Sequence, residues 1–260
     1  MFLGSLVYNL NIAENMLNSK FWENYFKVYD SLNLLIPYQE LLETICEELE
    51  IKKGEKILEA GCGTGNLALK IKERGAEVVG LDNCQEALDI YRKKDPTAKL
   101  VLADLRERLP FPDNYFDKIA SNNTLYIIPK ERQLDTLKEL YRILKPRGKI
   151  VIANPKEDAN VLSIYLLGIK QSIKKRGWKK TLKSVIKFLP QTLKMFYYNY
   201  LIKKRERSEV YNLLTGVKQK ELLQKAGFVK ISETKFIYAN QGILNIGFKM
   251  INNDKKTDKI

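Results

Sequence analysis

Residues 57–71, ILEAGCGTGNLALKI, place three glycines in five positions between two apolar runs, in a chain with only 14 glycines among 260 residues. Gly61, Gly63 and Gly65 suit a tight turn that needs positive φ or close backbone approach. The run before them is short and β-rich, and the run after them has helical spacing, so the glycines join a strand to a helix. The alternation continues. KILEA (56–60), EVVGLD (77–82), KLVLAD (99–104), FDKIASN (116–122) and GKIVIANP (148–155) read as strands. NLALKIKERG, CQEALDIYRKK and KERQLDTLKELYRILKP read as the helices between them. Such alternation predicts a parallel sheet covered on both faces.

The first ~50 residues read as helices. Trp22, Tyr25, Phe26 and Tyr29 recur at helical spacing, as do Leu41, Leu42, Ile45 and Leu49. The aromatic stripe reads as core before site. After the fifth strand the pattern breaks into basic helices over 156 to about 215, with interruptions predicted near Gly177 and Pro190. A helix in KQKELLQKAGF follows, ending at Gly227, then two strands, VKISETKFIY and GILNIGFKM, with a tight connection. The final NNDKKTDKI reads as a disordered tail.

The net charge of +14 is concentrated in that basic segment: from Val151 to Leu214 there are 14 Lys and Arg against four acids. A localised excess of this kind points to an anionic partner, whether a membrane surface, a nucleic acid or an acidic substrate, or else to a helical lid whose apolar faces pack on the sheet while its lysines are solvated. The chain has no histidine, so the commonest general base and metal ligand are both excluded. Three cysteines, Cys46, Cys62 and Cys84, are too few and too irregular for a disulfide framework or a zinc site, and no metal is expected. Cys62 and Cys84 read as small buried fillers. The apolar start lacks a basic leader and a cleavage site, and no apolar run approaches the ~20 residues of a membrane span, which predicts a cytoplasmic protein.

Ligands of doubly wound sheets bind at the carboxyl ends of strands, beside a glycine turn. The spacing here is G-x-G-x-G, not the dinucleotide G-x-G-x-x-G, and no G-K-[ST] is present. Asp82 closes the second strand, where a carboxylate can accept from both hydroxyls of a ribose. Asp104 closes the third, placed to accept from an adenine amine or to cap the following helix. Glu59 closes the first, placed to orient an ammonium group or to cap the turn. Together they would read one molecule from amino-acid end to adenine.

KILEAGCGTGNLA, VVGLD, VLADLRERLPFPDNYFDKIASNNTLYII and ELYRILKPRGKIVIANP together resemble the class I S-adenosylmethionine-dependent methyltransferases. The resemblance covers about 29–155 and resumes at LLQKAGFVKI and YANQGILNIGFKM. It implies a doubly wound, mostly parallel, seven-stranded Rossmann-like sheet with an enlarged basic helical lid. The cofactor site it implies comprises Glu59, Gly61, Gly63, Gly65, Asp82, Asn83, Asp104, Leu105 and Asn122. Tyr29 and Tyr126 are its acceptor-pocket candidates, with loop packing the competing account of Asn122 and Tyr126. FKVYDSLNLL is similar to the Tyr-Asp stretch that precedes the glycine turn in the quinone-biosynthesis and lipid methyltransferases. Arg147 stands where that family usually has glycine, a departure expected to alter only a turn.

The organisation implied is N-terminal helices over the site (1–50), a cofactor-binding core (51–155 and 216–251), a basic insertion (156–215) and the tail (252–260). The acceptor expected is small and apolar, a quinone precursor or lipid, met at an anionic membrane surface through 156–207. SNNTLY (121–126) lacks the Asn/Asp-Pro-Pro-Tyr of nucleic-acid amino-methyltransferases. RNA or protein methylation through the basic segment, and a non-catalytic cofactor-binding role, are the alternatives. Without histidine, a carbon or amine acceptor, or an acidic enol or phenol, is favoured over an alcohol. The residues assign neither a general base nor an oligomeric state.

Overall fold

β1 (Lys56–Ala60) lies inside a seven-stranded sheet, flanked by β2 (Glu77–Asp82) on one side and β4 (Phe116–Asn122) on the other, parallel to both. The structure is a computed structural model and describes residues 19–206 and 213–250. The apolar start and the expected tail lie outside the described residues. With β3 (Lys99–Leu102), β5 (Leu144–Pro155), β6 (Lys235–Ile237) and β7 (Gly242–Phe248), the strand order is β3-β2-β1-β4-β5-β7-β6. β7 runs antiparallel to β5 and β6; all other pairs are parallel. The doubly wound, mostly parallel sheet expected from the sequence is therefore the observed one.

Period-two alternation divides the core into two layers. Ile57 and Val78 face one apolar cluster, with Leu67 and Ile71 of α3 (Asn66–Glu73). Leu58 and Val79 face the other, with Leu137 and Leu140 of α5 (Lys130–Ile143). The first layer also takes α1 (Ser19–Tyr29), the short 3-10 turn Asp30–Leu34 and α2 (Ile36–Leu49). α4 (Gln85–Lys94) follows β2.

Several boundaries differ from the sequence reading. β5 begins at Leu144, which pairs with Phe116, before a register shift brings Lys118 opposite Lys149. Arg147 sits inside that irregularity with φ 64°, exposed, so a side chain occupies the left-handed conformation that glycine adopts freely. β3 ends at Leu102, and Asp104 opens a turn instead of closing the strand. Of VKISETKFIY only Lys235–Ile237 is strand, because Lys230 at φ 48° breaks the extended run and leaves Val229 in an isolated bridge to Phe248.

The basic segment forms α6 (Val161–Arg176) and α7 (Trp178–Glu206), and α8 (Gly216–Lys225) follows. Gly177, at φ 83°, separates α6 from α7 as expected. The break predicted at Pro190 does not occur: α7 runs through it. Pro190 is exposed, so the carbonyl that loses its helical partner has water available instead. α7 packs on α6 and α1, with Tyr165 Oη donating to Thr192 Oγ1 at 3.2 Å and Tyr198 edge-on to Phe21 and Tyr25. Among the described residues no helix is long and apolar enough to cross a membrane.

Candidate active site

Strand order reverses between β1 and β4, and a cleft of about 550 Å³ opens at the carboxyl ends of β1, β2 and β4. The glycine turn forms its floor. The N–H groups of Gly61 and Cys62 both donate to the Leu81 carbonyl, at 2.8 and 2.9 Å, which folds the turn against β2. At Gly61, φ is 78° and a Cβ would collide with the Thr124 side chain. Gly61 and Gly63 line the cleft; Gly65 does not. Gly65 instead caps α3 at φ 78°, and a Cβ there would strike the Tyr91 ring behind the turn. Packing against Tyr91 and helix entry both call for glycine at this position.

Glu59 is buried on the cleft wall, and its Oε2 has no hydrogen-bond partner. Burial pushes its carboxyl well above the ordinary carboxylate value, against a bond from the Ala68 backbone N–H and the charge of Lys94. Asn122, at the end of β4, lines the same cleft with a buried Oδ1 that also lacks a partner. Buried acceptors are normally satisfied, so two orphans in one cleft mark a place for a donor that the chain itself does not supply.

Asp82 accepts from the Gly63 N–H at 2.8 Å and the Cys84 N–H at 3.0 Å, so its carboxylate is locked across the mouth of the turn. Burial raises its pKa and those backbone bonds oppose the rise. Asn83 and Leu105 also line the cleft. Asp104 also lines the cleft, but its carboxylate is held by Arg106: backbone N–H at 2.9 Å, Nη2 at 2.5 Å. The guanidinium keeps its carboxyl below the ordinary range.

Beyond the turn the cleft wall becomes aromatic. Tyr25, Phe26 and Tyr29 come from α1, Tyr38 from α2, Tyr126 from the 3-10 turn Leu125–Ile127, and Tyr238 from the β6–β7 connection. The Tyr25 ring packs against that of Tyr29, with centroids 5.4 Å apart. Burial raises the pKa of Tyr25, Tyr29, Tyr38 and Tyr238 further above the ordinary phenol value of 10.0. The helical stripe thus serves core and cleft at once; the Trp22 side chain lies outside the described residues. Met195 and Asn199 of α7 complete the wall.

Tyr38, Tyr238, Met195 and Asn199 were not singled out from the sequence. Tyr38 carried no signal beyond helical spacing. Tyr238 carried none either; in the structure it opens Tyr238-Ala239-Asn240, three successive non-glycine residues at φ 53°, 58° and 61°. Strain of that kind gathers where a fold must aim a side chain. Cys62 and Cys84 also touch the cleft, yet burial pushes both thiols up, Cys84 to about 12, which leaves them protonated.

Residues 58–152 match the methyltransferase domain family. The demethylmenaquinone methyltransferase of Lactobacillus johnsonii is 28% identical over 233 residues, spanning 85% of this chain and 88% of that one. The enzyme of the same name from Oceanobacillus iheyensis is 26% identical over 239 residues, spanning 88% and 93%. Among solved structures, a TehB-like S-adenosylmethionine-dependent methyltransferase from Corynebacterium glutamicum superposes with a TM-score of 0.58 at 17% identity, over 90% of this chain and all of that one. That likeness is one of fold. With the domain match and the relatives added, the chain is a class I S-adenosylmethionine-dependent methyltransferase, and S-adenosylmethionine is its cofactor.

Proposed function

We propose that this enzyme methylates a small apolar acceptor of the quinone-precursor type. The observation that carries the reading is the tyrosine wall. Four phenols, Tyr25, Tyr29, Tyr38 and Tyr238, line one chamber that is continuous with the glycine turn. Neutral phenols donate hydrogen bonds to carbonyl or hydroxyl oxygens, and their rings cover an apolar ring system. The names carried by the two relatives point the same way.

The residues present fit the cofactor. The two orphaned acceptors, Glu59 Oε2 and Asn122 Oδ1, suit one ammonium group. Asp82 would take the ribose hydroxyls, while Asn83, Leu105 and Asp104 would hold the adenine, Asp104 turning from Arg106 to do so. Bound there, S-adenosylmethionine supplies a methyl group already activated on a sulfonium. The chain's own part is to hold the acceptor in a near-attack pose and to exclude water. The aromatic wall is assigned that work. No side chain is assigned as a base: the methyl group adds to a ring carbon, and the proton it displaces there leaves to water after the transfer.

The test is turnover with S-adenosylmethionine and a prenylated 1,4-naphthoquinol, read by mass spectrometry. A product carrying one added methyl group on the ring is expected. Methyl label from a cell extract that enters only RNA or protein would overturn the reading. So would cofactor binding with no turnover on any fraction.

A further inference from the structure

The outer face of α7 is apolar along its length. Trp178, Leu189 and Tyr200 recur at 11-residue intervals, and Leu182, Ile186, Leu193 and Tyr197 fill the turns between. Eleven residues are close to three helical turns, so the stripe drifts by only ~20° per repeat and keeps to one face. Each of these side chains has between 46% and 63% of its surface exposed. The opposite face is occupied: Thr181 and Met195 are buried, and Met195 and Asn199 line the cleft. Exposed Lys179, Lys183, Lys187 and Lys194 run along one flank of the stripe. From 159 to 205 the chain carries twelve Lys and Arg and not one Asp or Glu.

A continuous exposed apolar stripe of this size marks an interaction surface. The charge selects the occupant. A second copy seated on the stripe would bring two lysine rows together. A bilayer with anionic lipids takes both halves of the face: apolar side chains enter the headgroup boundary and lysines meet the phosphates. Trp178, Tyr197 and Tyr200 are of the amphipathic type that settles at such a boundary.

We propose that the outer face of α7 docks the enzyme on an anionic lipid surface. One helix then carries the membrane contact on its outer face and part of the acceptor chamber on its inner face, so an apolar acceptor passes from lipid to cleft without crossing water. That last step rests on the acceptor reading above; the docking itself does not.

The experiment is flotation of the full chain with vesicles of phosphatidylcholine alone or of equimolar phosphatidylcholine and phosphatidylglycerol. Binding to the anionic vesicles only is expected, weakening as salt rises to ~0.5 M. The triple variant Leu182→Ser/Ile186→Ser/Leu189→Ser, none of whose positions lines the cleft, should partition at least ~10-fold more weakly while keeping S-adenosylmethionine affinity. Should that variant misfold, Lys183→Glu/Lys187→Glu must weaken binding instead. Wild-type protein that ignores anionic vesicles, or variants that float like wild type, overturn the proposal. A stripe-dependent dimer without vesicle binding, or RNA binding alone, assigns the face elsewhere and overturns it too. Turnover on detergent-dispersed naphthoquinol separates the two readings: turnover without docking removes this one, and docking without turnover removes the acceptor.

Discussion

Thr64 Oγ1 donates to the Asp30 carboxylate at 2.7 Å, across 34 residues of chain. Lys94 Nζ closes on the same carboxylate at 2.7 Å and on the Thr64 carbonyl at 2.9 Å. A single aspartate, the residue after Tyr29, thereby fastens the N-terminal helical cover to the glycine turn. The cleft wall given by α1 is held in place by this clasp as well as by apolar packing. Asp30→Asn keeps the shape and removes the charge. The pair is partly exposed, so the loss is put at about 1 kcal/mol. Calorimetric titration should show several-fold weaker cofactor binding, together with a lower melting temperature. Unchanged affinity would mean the cover closes without the clasp.

Asp82 is the carboxylate on which the cofactor reading most depends. Its two backbone bonds, from Gly63 and Cys84, aim it across the turn. Asp82→Ala removes a charged acceptor for which nothing substitutes, and the cofactor dissociation constant should rise by at least ~100-fold. Near-normal affinity would reassign the site.

Glu59 gives a pH signature. Its folded pKa is raised by burial above the ordinary value of 4.5. A group of this kind contributes stability that is full below the ordinary value and is lost as pH rises through the raised one. At neutral pH the cofactor-free protein therefore bears the cost, and Glu59→Gln should melt higher than wild type there. The gap should close as pH falls to ~4. An ammonium beside Glu59 favours the ionised form. Wild-type binding should then release a proton, seen as buffer-dependent heat, and affinity should rise with pH. Glu59→Gln should lose both effects. A variant that melts below wild type at neutral pH would show that the carboxylate stabilises the fold.

Arg147 offers a stability test far from the cleft. At φ 64° its side chain costs on the order of 1–2 kcal/mol, against roughly 0.5–1 kcal/mol for the extra freedom of an unfolded glycine. Arg147→Gly should stabilise the fold by about 0.5 kcal/mol, with activity unchanged. A chemical denaturation midpoint that falls would assign Arg147 a bond that outweighs the strain.

The order of strands and helices was legible because it is written locally. Apolar period and glycine spacing act within a few residues, and they placed β1, β2 and β4 and the turn between β1 and α3. Asp82, at the end of β2, followed from the same logic. Misplaced features were those where a distant partner overrides a local signal. Pro190 signals a break, yet α7 continues because packing on α6 and α1 holds it. Leu144 belongs to a helical run by period, yet pairing with Phe116 makes it strand.

The sequence by itself determined the doubly wound sheet, the glycine turn and the carboxylates of Glu59 and Asp82 at its strand ends, since each depends on near neighbours along the chain. Only the tertiary structure decided that Gly65 packs behind the turn while Gly61 and Gly63 face the cleft. It alone brought Tyr38 and Tyr238 to one wall, left Glu59 Oε2 and Asn122 Oδ1 without partners, and turned the apolar half of α7 outward. Those facts are convergences of segments far apart in sequence. Burial, which sets both the pKa shifts and the unmet hydrogen bonds, has no value until the chain has closed around them.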